Sequence, residues 1–171
     1  MQTIVSPFDP ITIGPLTLRN RFIKSGANEA MCMDGTPTRA LVKHHTDLAR
    51  GGVGMTTVAY MAVAPEARTL PNQIWMRPDI LPDLRALTAA VHAEGAAISA
   101  QITHGGSFVT GMKVKGRTIS SSGGFNAAGA LKGNFLQRAM NEAEPPSRSR
   151  CMPKGPSMSS RAMEPTTSRE R

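Results

Sequence analysis

Three short stretches of the sequence place small or polar residues at or directly after the ends of segments that read as β-strands. Ser25-Gly26-Ala27-Asn28 follows the first segment, Ala59-Tyr60 ends the second, and Gln101-Ile102-Thr103-His104 ends the third. Small residues let backbone groups approach a flat ligand, and the carboxamides of Asn28 and Gln101 each offer a donor beside an acceptor. A carboxamide can pair with the imide edge of a heterocyclic ring. The spacing therefore indicates a site for a flat ligand with a polar edge.

Each stretch also has a plainer structural interpretation. Residues Ser25 to Asn28 would serve as an ordinary turn between a strand and a loop, and spacing alone favours that interpretation. Tyr60 would simply pack with its hydroxyl satisfied, and His104 would either donate to an anionic ligand or cap a turn. Gln101 is the sharper signal, because its strand neighbours face the other way and its amide would point toward the mouth of a barrel.

Alternating apolar patterns predict the strands that must position these residues. Ile11 to Ile13 and Leu16 to Leu18 form a hairpin across Gly14-Pro15. The three longer strands are predicted at Arg21 to Ser25, Val53 to Ala59 and Ala96 to Ile102.

Two predicted helices lie between these three strands. Thr36 is the expected N-cap of the first, with Pro37 at its first position, and Gly51-Gly52 ends it. Asp79 is the expected cap of the second, which Gly95 ends. Strands alternating with helices predict a parallel α/β sheet, as in a doubly wound sheet or a barrel, with ligands beyond the carboxyl ends of the strands.

Composition separates the chain into two parts. Residues 145–171 contain no Val, Ile, Leu, Phe, Tyr or Trp, and they carry +4 of the net charge of +8. Such a segment cannot bury enough apolar area to offset its conformational entropy, so we expect a disordered tail rich in Ser, Arg and Pro. Residues 1–144 are the expected folded part. Their scattered charge, without Lys or Arg clustered among aromatics, argues against a nucleic-acid partner.

Cysteine usage and hydropathy exclude further classes. Cys32 and Cys151 are the two cysteines, and neither belongs to a C-x-x-C pair, so no disulfide framework, zinc site or iron–sulfur site is predicted. The start of the chain lacks a secretory pattern, and no stretch reaches the roughly 18 apolar residues that a membrane span needs. We therefore expect a soluble, cytoplasmic protein without a metal.

Four motifs, in order, give the chain a resemblance to a known family. They are Phe8-Asp9-Pro10 with Ile13-Gly14, then Leu18-Arg19-Asn20-Arg21, then Arg50-Gly51-Gly52-Val53-Gly54, and finally Gln101-Ile102-Thr103-His104-Gly105-Gly106. Each is weak alone and specific in combination. From Phe8 to about Glu144 the chain resembles the old yellow enzyme family of NAD(P)H:flavin oxidoreductases.

The resemblance implies a fold, a cofactor and a reaction. The fold is an FMN-binding (β/α)₈ TIM barrel with an N-terminal hairpin as its floor, and the flavin lies across the carboxyl ends of the strands. The backbone from Ser25 to Asn28 would contact the flavin edge, Ala59 would lie beside the ring, and Gln101 would bond its pyrimidine. Tyr60 and His104 are then candidate substrate contacts. Hydride passes from NAD(P)H through the flavin to an activated alkene or enone.

The chain also departs from the family pattern. Gly26 and Asn28 stand where many relatives carry Pro and a Thr or Cys, which concerns the tuning of the flavin. The family's substrate-binding His pair, its flavin-contacting arginine and its Gly-rich phosphate site would lie beyond residue 144, and a complete barrel needs roughly 250 residues.

We therefore expect an incomplete barrel of a hairpin and about three β/α units, followed by a tail read out of frame. Such a chain would be inactive in this form. The alternative is a non-catalytic fragment or interaction segment without flavin, which self-associates through free strand edges.

Overall fold

The computed structural model describes residues 5–109, 119–130 and 136–140. The predicted tail at 145–171 and part of the long excursion at 105–134 lie outside these residues. Within them the chain is α/β, as predicted. The elements in chain order are β1 (Ile11–Ile13), β2 (Leu16–Leu18), β3 (Ile23–Lys24), α1 (Arg39–Arg50), β4 (Met55–Ala62), β5 (Ile74–Trp75), α2 (Leu81–Ala93), β6 (Ala97–Thr103), β7 (Ile119–Ser120), β8 (Gly124–Phe125), α3 (Ala127–Ala130) and β9 (Leu136–Ala139).

A parallel sheet built around β4 forms the centre of the described fold. β4 pairs with β3 and then with β5 along one edge, and with β6 along the other. Its ladder with β6 shifts register between Val58 and Met61. The hairpin β1–β2 is antiparallel and confirms the prediction. A smaller sheet, in which β9 lies between β7 and β8, belongs to the excursion after β6.

The two faces of β4 have different neighbours. Thr56 and Val58 face helices α1 and α2, and Val58 belongs to the main apolar core with Leu41, Leu87 and Val91. Thr57 lies on the opposite face, where its hydroxyl is 2.8 Å from that of Ser99 on β6. Helices therefore cover one face of the sheet, as in the outer layer of a barrel.

The helix boundaries differ slightly from those that the sequence predicts. Thr38 caps α1 by accepting from the backbone amide of Leu41 at 3.3 Å, whereas Thr36 had been expected there. Thr36 is instead held in a tight turn with Met33. Asp79 lies in a short 3₁₀ turn before α2 and caps nothing. Gly95 adopts a φ of +75°, the left-handed conformation that ends a helix.

Arg19 fastens the hairpin to the amino end of the sheet. Its guanidinium donates to the carbonyl of Val53 at 2.8 Å, to that of Glu94 at 2.9 Å, and to that of Ala49. These carbonyls lie at the end of α1 and just before β4 and β6. Asn20 adds a bond to the Gly52 carbonyl at 2.7 Å. The motif residues that carry the family resemblance thus close the floor of the sheet.

His45 is the one histidine of α1 that points into the core, with 0% exposure. Its Nδ1 is 2.7 Å from the Thr56 hydroxyl, whereas its Nε2 has no hydrogen bond to the described residues and lies 3.7 Å from a carboxylate oxygen of Glu29. Burial lowers the pKa of His45 to about 4, opposed by the charge of Glu29 and reinforced by those of Lys24 and His44. The ring is therefore neutral at pH 7.

Substitution of Arg19 tests the role of the floor. Arg19→Met removes the donors for three carbonyls, and the free energy of unfolding should fall by about 1–3 kcal/mol because exposed carbonyls recover part of the loss from water. Urea unfolding measures this. Arg21→Met is the matched control, since Arg21 is exposed and has no side-chain bond within the described part of the chain. Equal losses in both variants would contradict this role for Arg19.

Acidification tests the burial of neutral His45. The unfolded chain takes up a proton near the ordinary pKa of 6.5, and the folded chain resists it down to about 4. Stability should therefore fall as the pH drops through this window, with a contribution of up to about 1.4 kcal/mol per pH unit.

Urea unfolding at pH 7, 6 and 5 measures this dependence. His45→Gln should flatten it, and His92→Gln, on the exposed surface of α2, should not. An unchanged slope in His45→Gln would show that the histidine contributes nothing.

Candidate functional site

Three of the predicted site residues meet where the loop after β3 lies beside β4 and β6. Ala59 lies within β4, which continues to Ala62 instead of ending at Ala59 as the sequence predicts. A Cβ placed on Gly26 would overlap the Oε1 of Gln101 and would lie 3.4 Å from the Cβ of Ala59. A larger residue at Gly26 would therefore move the carboxamide of Gln101, and the φ of Gly26 is not positive. The three residues form one small patch across adjacent strands. We name Gly26, Ala59 and Gln101 the strand-end patch.

Gln101 offers the polar atoms of the strand-end patch. It follows Ser99 by two residues, so both side chains lie on the face of β6 that turns away from the helices. Gln101 is exposed, and its carboxamide makes no hydrogen bond to any residue that the structure describes. Both a donor and an acceptor are therefore available to a ligand beside the small residues Gly26 and Ala59.

The rest of the first loop is arranged as a turn. Ser25 and Ala27 are exposed, and the Oδ1 of Asn28 accepts from the backbone amide of Ala30 at 3.1 Å. This bond stabilises Ala30, which has a φ of +52°. Asn28 therefore supports the loop with its carbonyl oxygen, as the plainer interpretation of this stretch predicts, while its carboxamide nitrogen is not used in that bond.

Glu29 is a buried residue that the sequence analysis missed. Its side chain is 5% exposed and forms an ion pair with Lys24, whose side chain is 18% exposed. One carboxylate oxygen accepts from the backbone amide of Ala59 at 3.1 Å. Lys24 also donates to the carbonyl of Thr57 at 3.0 Å. A lone Glu in a loop carries no periodic signal, so only the tertiary contacts reveal this pair.

Tyr60 and His104 flank the strand-end patch in sequence and differ in their environments. Tyr60 is half-buried, and His104 is exposed. The Nδ1 of His104 accepts from the backbone amide of Gly106 at 3.0 Å. A neutral ring with an accepting Nδ1 carries its proton on Nε2. His104 therefore caps a turn, one of its two predicted roles, and keeps an N–H that can donate to a ligand.

Gln73, which is buried, and Arg77, which is half-buried, hold loops next to β5 and β6. Gln73, with 2% exposure, accepts from the amide and the hydroxyl of Thr69 and donates to the hydroxyl of Thr103 at 3.1 Å. Arg77 lies 4.5 Å above the ring of Trp75 and donates to the carbonyl of Gly35 at 2.9 Å. These contacts fix the ends of β5 and β6 against neighbouring loops.

The chemistry of the strand-end patch fits a planar ring rather than a cation. In the described part of the chain, no three His, Cys, Asp or Glu side chains are arranged to hold a metal ion. No helix of residues 5–109, 119–130 or 136–140 is long and apolar enough to cross a membrane. The space at Gly26 instead lies beside a carboxamide of Gln101 that has no hydrogen bond to the described part of the chain.

The chain is similar to known proteins in sequence and in fold. The chain is 42% identical over 140 residues to 4,4'-dithiodibutanoate disulfide reductase of Rhodococcus erythropolis, a match that covers 80% of this chain and 35% of that protein. The fold is similar to that of the old yellow enzyme homologue from Zymomonas mobilis, with a TM-score of 0.69 and 22% identity over 81% of this chain and 41% of that one. The fold is also similar to that of old yellow enzyme from Pichia sp., with a TM-score of 0.72 and 19% identity over 80% of this chain and 38% of that one.

Three facts follow from these comparisons. The chain spans between about a third and two fifths of the length of these proteins. The described sheet is thus part of a TIM barrel, which confirms the predicted fold. The sequence pattern of one family matches residues 6–144, so the chain belongs to the NADH:flavin oxidoreductase / NADH oxidase family.

Proposed function

We propose that the strand-end patch is the part of an FMN site that receives the flavin ring. The convergence of Gly26, Ala59 and Gln101 carries this proposal. The ring would lie against Gly26 and Ala59, and the carboxamide of Gln101 would pair with its pyrimidine edge. The backbone of the loop from Ser25 to Asn28 would border the ring. Two small residues beside one free amide match this ligand in both shape and polarity.

The proposed reaction is the reduction of an activated alkene or enone with NAD(P)H. Bound FMN supplies the hydride-transfer chemistry, and the residues of the chain supply binding and orientation. Gln101 would set the rotation of the ring in its plane. His104 follows the end of β6 and Tyr60 lies within β4, and the N–H at Nε2 of His104 and the hydroxyl of Tyr60 are donors that would bind the polar group of a substrate.

One of the relatives suggests a second candidate for the hydride acceptor. The Rhodococcus erythropolis protein is described as a disulfide reductase, so a disulfide belongs in the same assays as an enone. A cytoplasmic location is part of the proposal, because NAD(P)H is available there.

Self-association is the second candidate function, and the free side of β6 favours it. Among the described residues, β6 pairs with β4 alone. Its outward residue Ile102 is 44% exposed, and Ala100 beside it on the same face is exposed as well. A parallel edge with apolar neighbours is a surface on which another strand can pair. In this alternative the chain carries no flavin and uses the edge to bind a second copy.

Substitution of the strand-end patch tests the proposed site. Gln101→Leu keeps the volume at the strand end and leaves the pyrimidine edge without an amide partner. Such a loss costs on the order of 1–3 kcal/mol, so the dissociation constant for FMN should rise by about 5- to 150-fold. Gly26→Ala should act in the same direction, since its Cβ displaces the carboxamide of Gln101.

Titration with FMN followed by flavin fluorescence measures both variants. Gly51→Ala is the matched control, because a Cβ there meets only ordinary contacts at 3.4 Å. If Gln101→Leu binds FMN as the wild type does, Gln101 does not contact the ring.

The flavin content of the purified chain separates the two candidate functions. The chain spans 35% of the Rhodococcus erythropolis protein, and the resemblance assigns the phosphate grip to late strands. A polypeptide of these 171 residues should therefore purify without stoichiometric flavin and bind FMN only weakly, with a dissociation constant of about 0.1 mM.

Absorbance at the flavin maximum and light scattering after size exclusion measure content and mass together. A yellow monomer with about one flavin per chain would contradict weak binding. A colourless dimer that Ile102→Lys dissociates would favour self-association instead.

A further inference from the structure

The backbone of β4 lacks a regular strand partner at Ala59. On the edge of β4 that faces the loop after β3, β3 pairs with Met55 and Thr56 and β5 pairs with Met61 and Ala62, so no strand of the described residues pairs with Ala59. Residues in such a gap lack the ladder bonds that their neighbours make. A buried amide in that position needs another acceptor.

Glu29 supplies both of the missing partners. Its carboxylate accepts from the amide of Ala59 at 3.1 Å, and its own amide donates to the carbonyl of Ala59 at 3.3 Å. Glu29, in the loop after β3, therefore provides the hydrogen bonds that a neighbouring strand would otherwise provide at Ala59. Its contacts end at Ala59, which belongs to the strand-end patch.

Lys24 holds the carboxylate in this position. A carboxylate with 5% exposure is strongly destabilised unless an opposite charge and hydrogen bonds compensate it. Lys24 pairs with Glu29 and donates to the carbonyl of Thr57 at 3.0 Å. His45, whose Nε2 lies 3.7 Å from the same carboxylate, makes no hydrogen bond with it. The carboxylate of Glu29 is therefore held by the ammonium of Lys24 and by the amide of Ala59.

We propose that Glu29 is a positioning residue, which fastens the loop after β3 to Ala59 of β4 and thereby sets Ala59 and Gly26 at the spacing that admits a flat ring. Lys24 holds the carboxylate of Glu29 toward Ala59. The ligand half of this proposal rests on the proposed flavin site. The structural half, the protection of the Ala59 amide, does not.

Amide hydrogen exchange of the full chain, followed by NMR, tests the structural half. Glu29→Ala should accelerate exchange at Ala59 by about tenfold more than at the amides of Leu87 and Val91 in α2. Glu29→Gln keeps an acceptor and leaves the ammonium of Lys24 unpaired, so its effect should be smaller. Addition of Lys24→Met to Glu29→Gln removes the unpaired ammonium, so the double variant should regain part of the protection of the Ala59 amide.

Asp47→Asn is the matched control. It breaks an ion pair with Lys43 in which both side chains are well exposed, and it should change neither set of amides. Exchange at Ala59 that is unchanged in Glu29→Ala, or that rises no more than exchange in α2, would overturn the proposal. If Glu29→Ala does not fold, the comparison of Glu29→Gln with and without Lys24→Met decides the same point.

FMN titration of the same variants tests the ligand half. Glu29→Gln should raise the dissociation constant at least about threefold, and the addition of Lys24→Met should lower it again. Loss of Ala59 protection without any change in FMN affinity would overturn the link to the ring. A wild-type chain that does not bind FMN at millimolar concentration would instead overturn the proposed function, and the exchange data would still decide the role of Glu29.

Discussion

Hydrogen bonding along β4 is the constraint on which the described part of the barrel depends. This strand has neighbours on both edges, so its amides and carbonyls need partners on both sides. Regular pairing with β6 meets it from Met55 to Val58, whereas on the other edge Ala59 lies in the gap between β3 and β5. Glu29 supplies the partners there from a loop. A buried backbone group must be paired, and this need accounts for the carboxylate of Glu29 in the interior beside the strand-end patch.

The two ends of the sheet serve different purposes. At the amino end, Arg19 and Asn20 tie the hairpin to the carbonyls that precede β4 and β6. Gly54 belongs to the same end, because a Cβ there would lie 2.6 Å from the Asn20 carbonyl oxygen. Most of the motifs that identify the family therefore hold the floor together. These contacts stabilise the fold, whereas in barrels of this kind the chemistry is carried by residues at the carboxyl ends of the strands.

Local rules predicted the elements well where a single short-range interaction decides them. The hairpin at Ile11 to Leu18 and the left-handed Gly95 appear as predicted. The predicted N-cap of α1 was wrong by two residues, because Thr36 is held by a turn with Met33 and Thr38 accepts from the helix amide in its place. Arg77 also uses the hydroxyl of Thr36, at 2.8 Å. That contact spans 41 residues, and a local rule cannot include it.

The sequence by itself determined that Gly26, Ala59 and Gln101 share one edge. Each ends or follows a predicted strand, and parallel strands joined by helices bring their carboxyl ends to the same side of the sheet. Tertiary structure alone decided which charges are buried behind that edge. Glu29 contacts Ala59 across 30 residues, and His45 contacts Thr56 across 11. Whether a Glu or a His is exposed or paired depends on how a loop and a helix pack against a strand. No periodic pattern in the sequence predicts that packing.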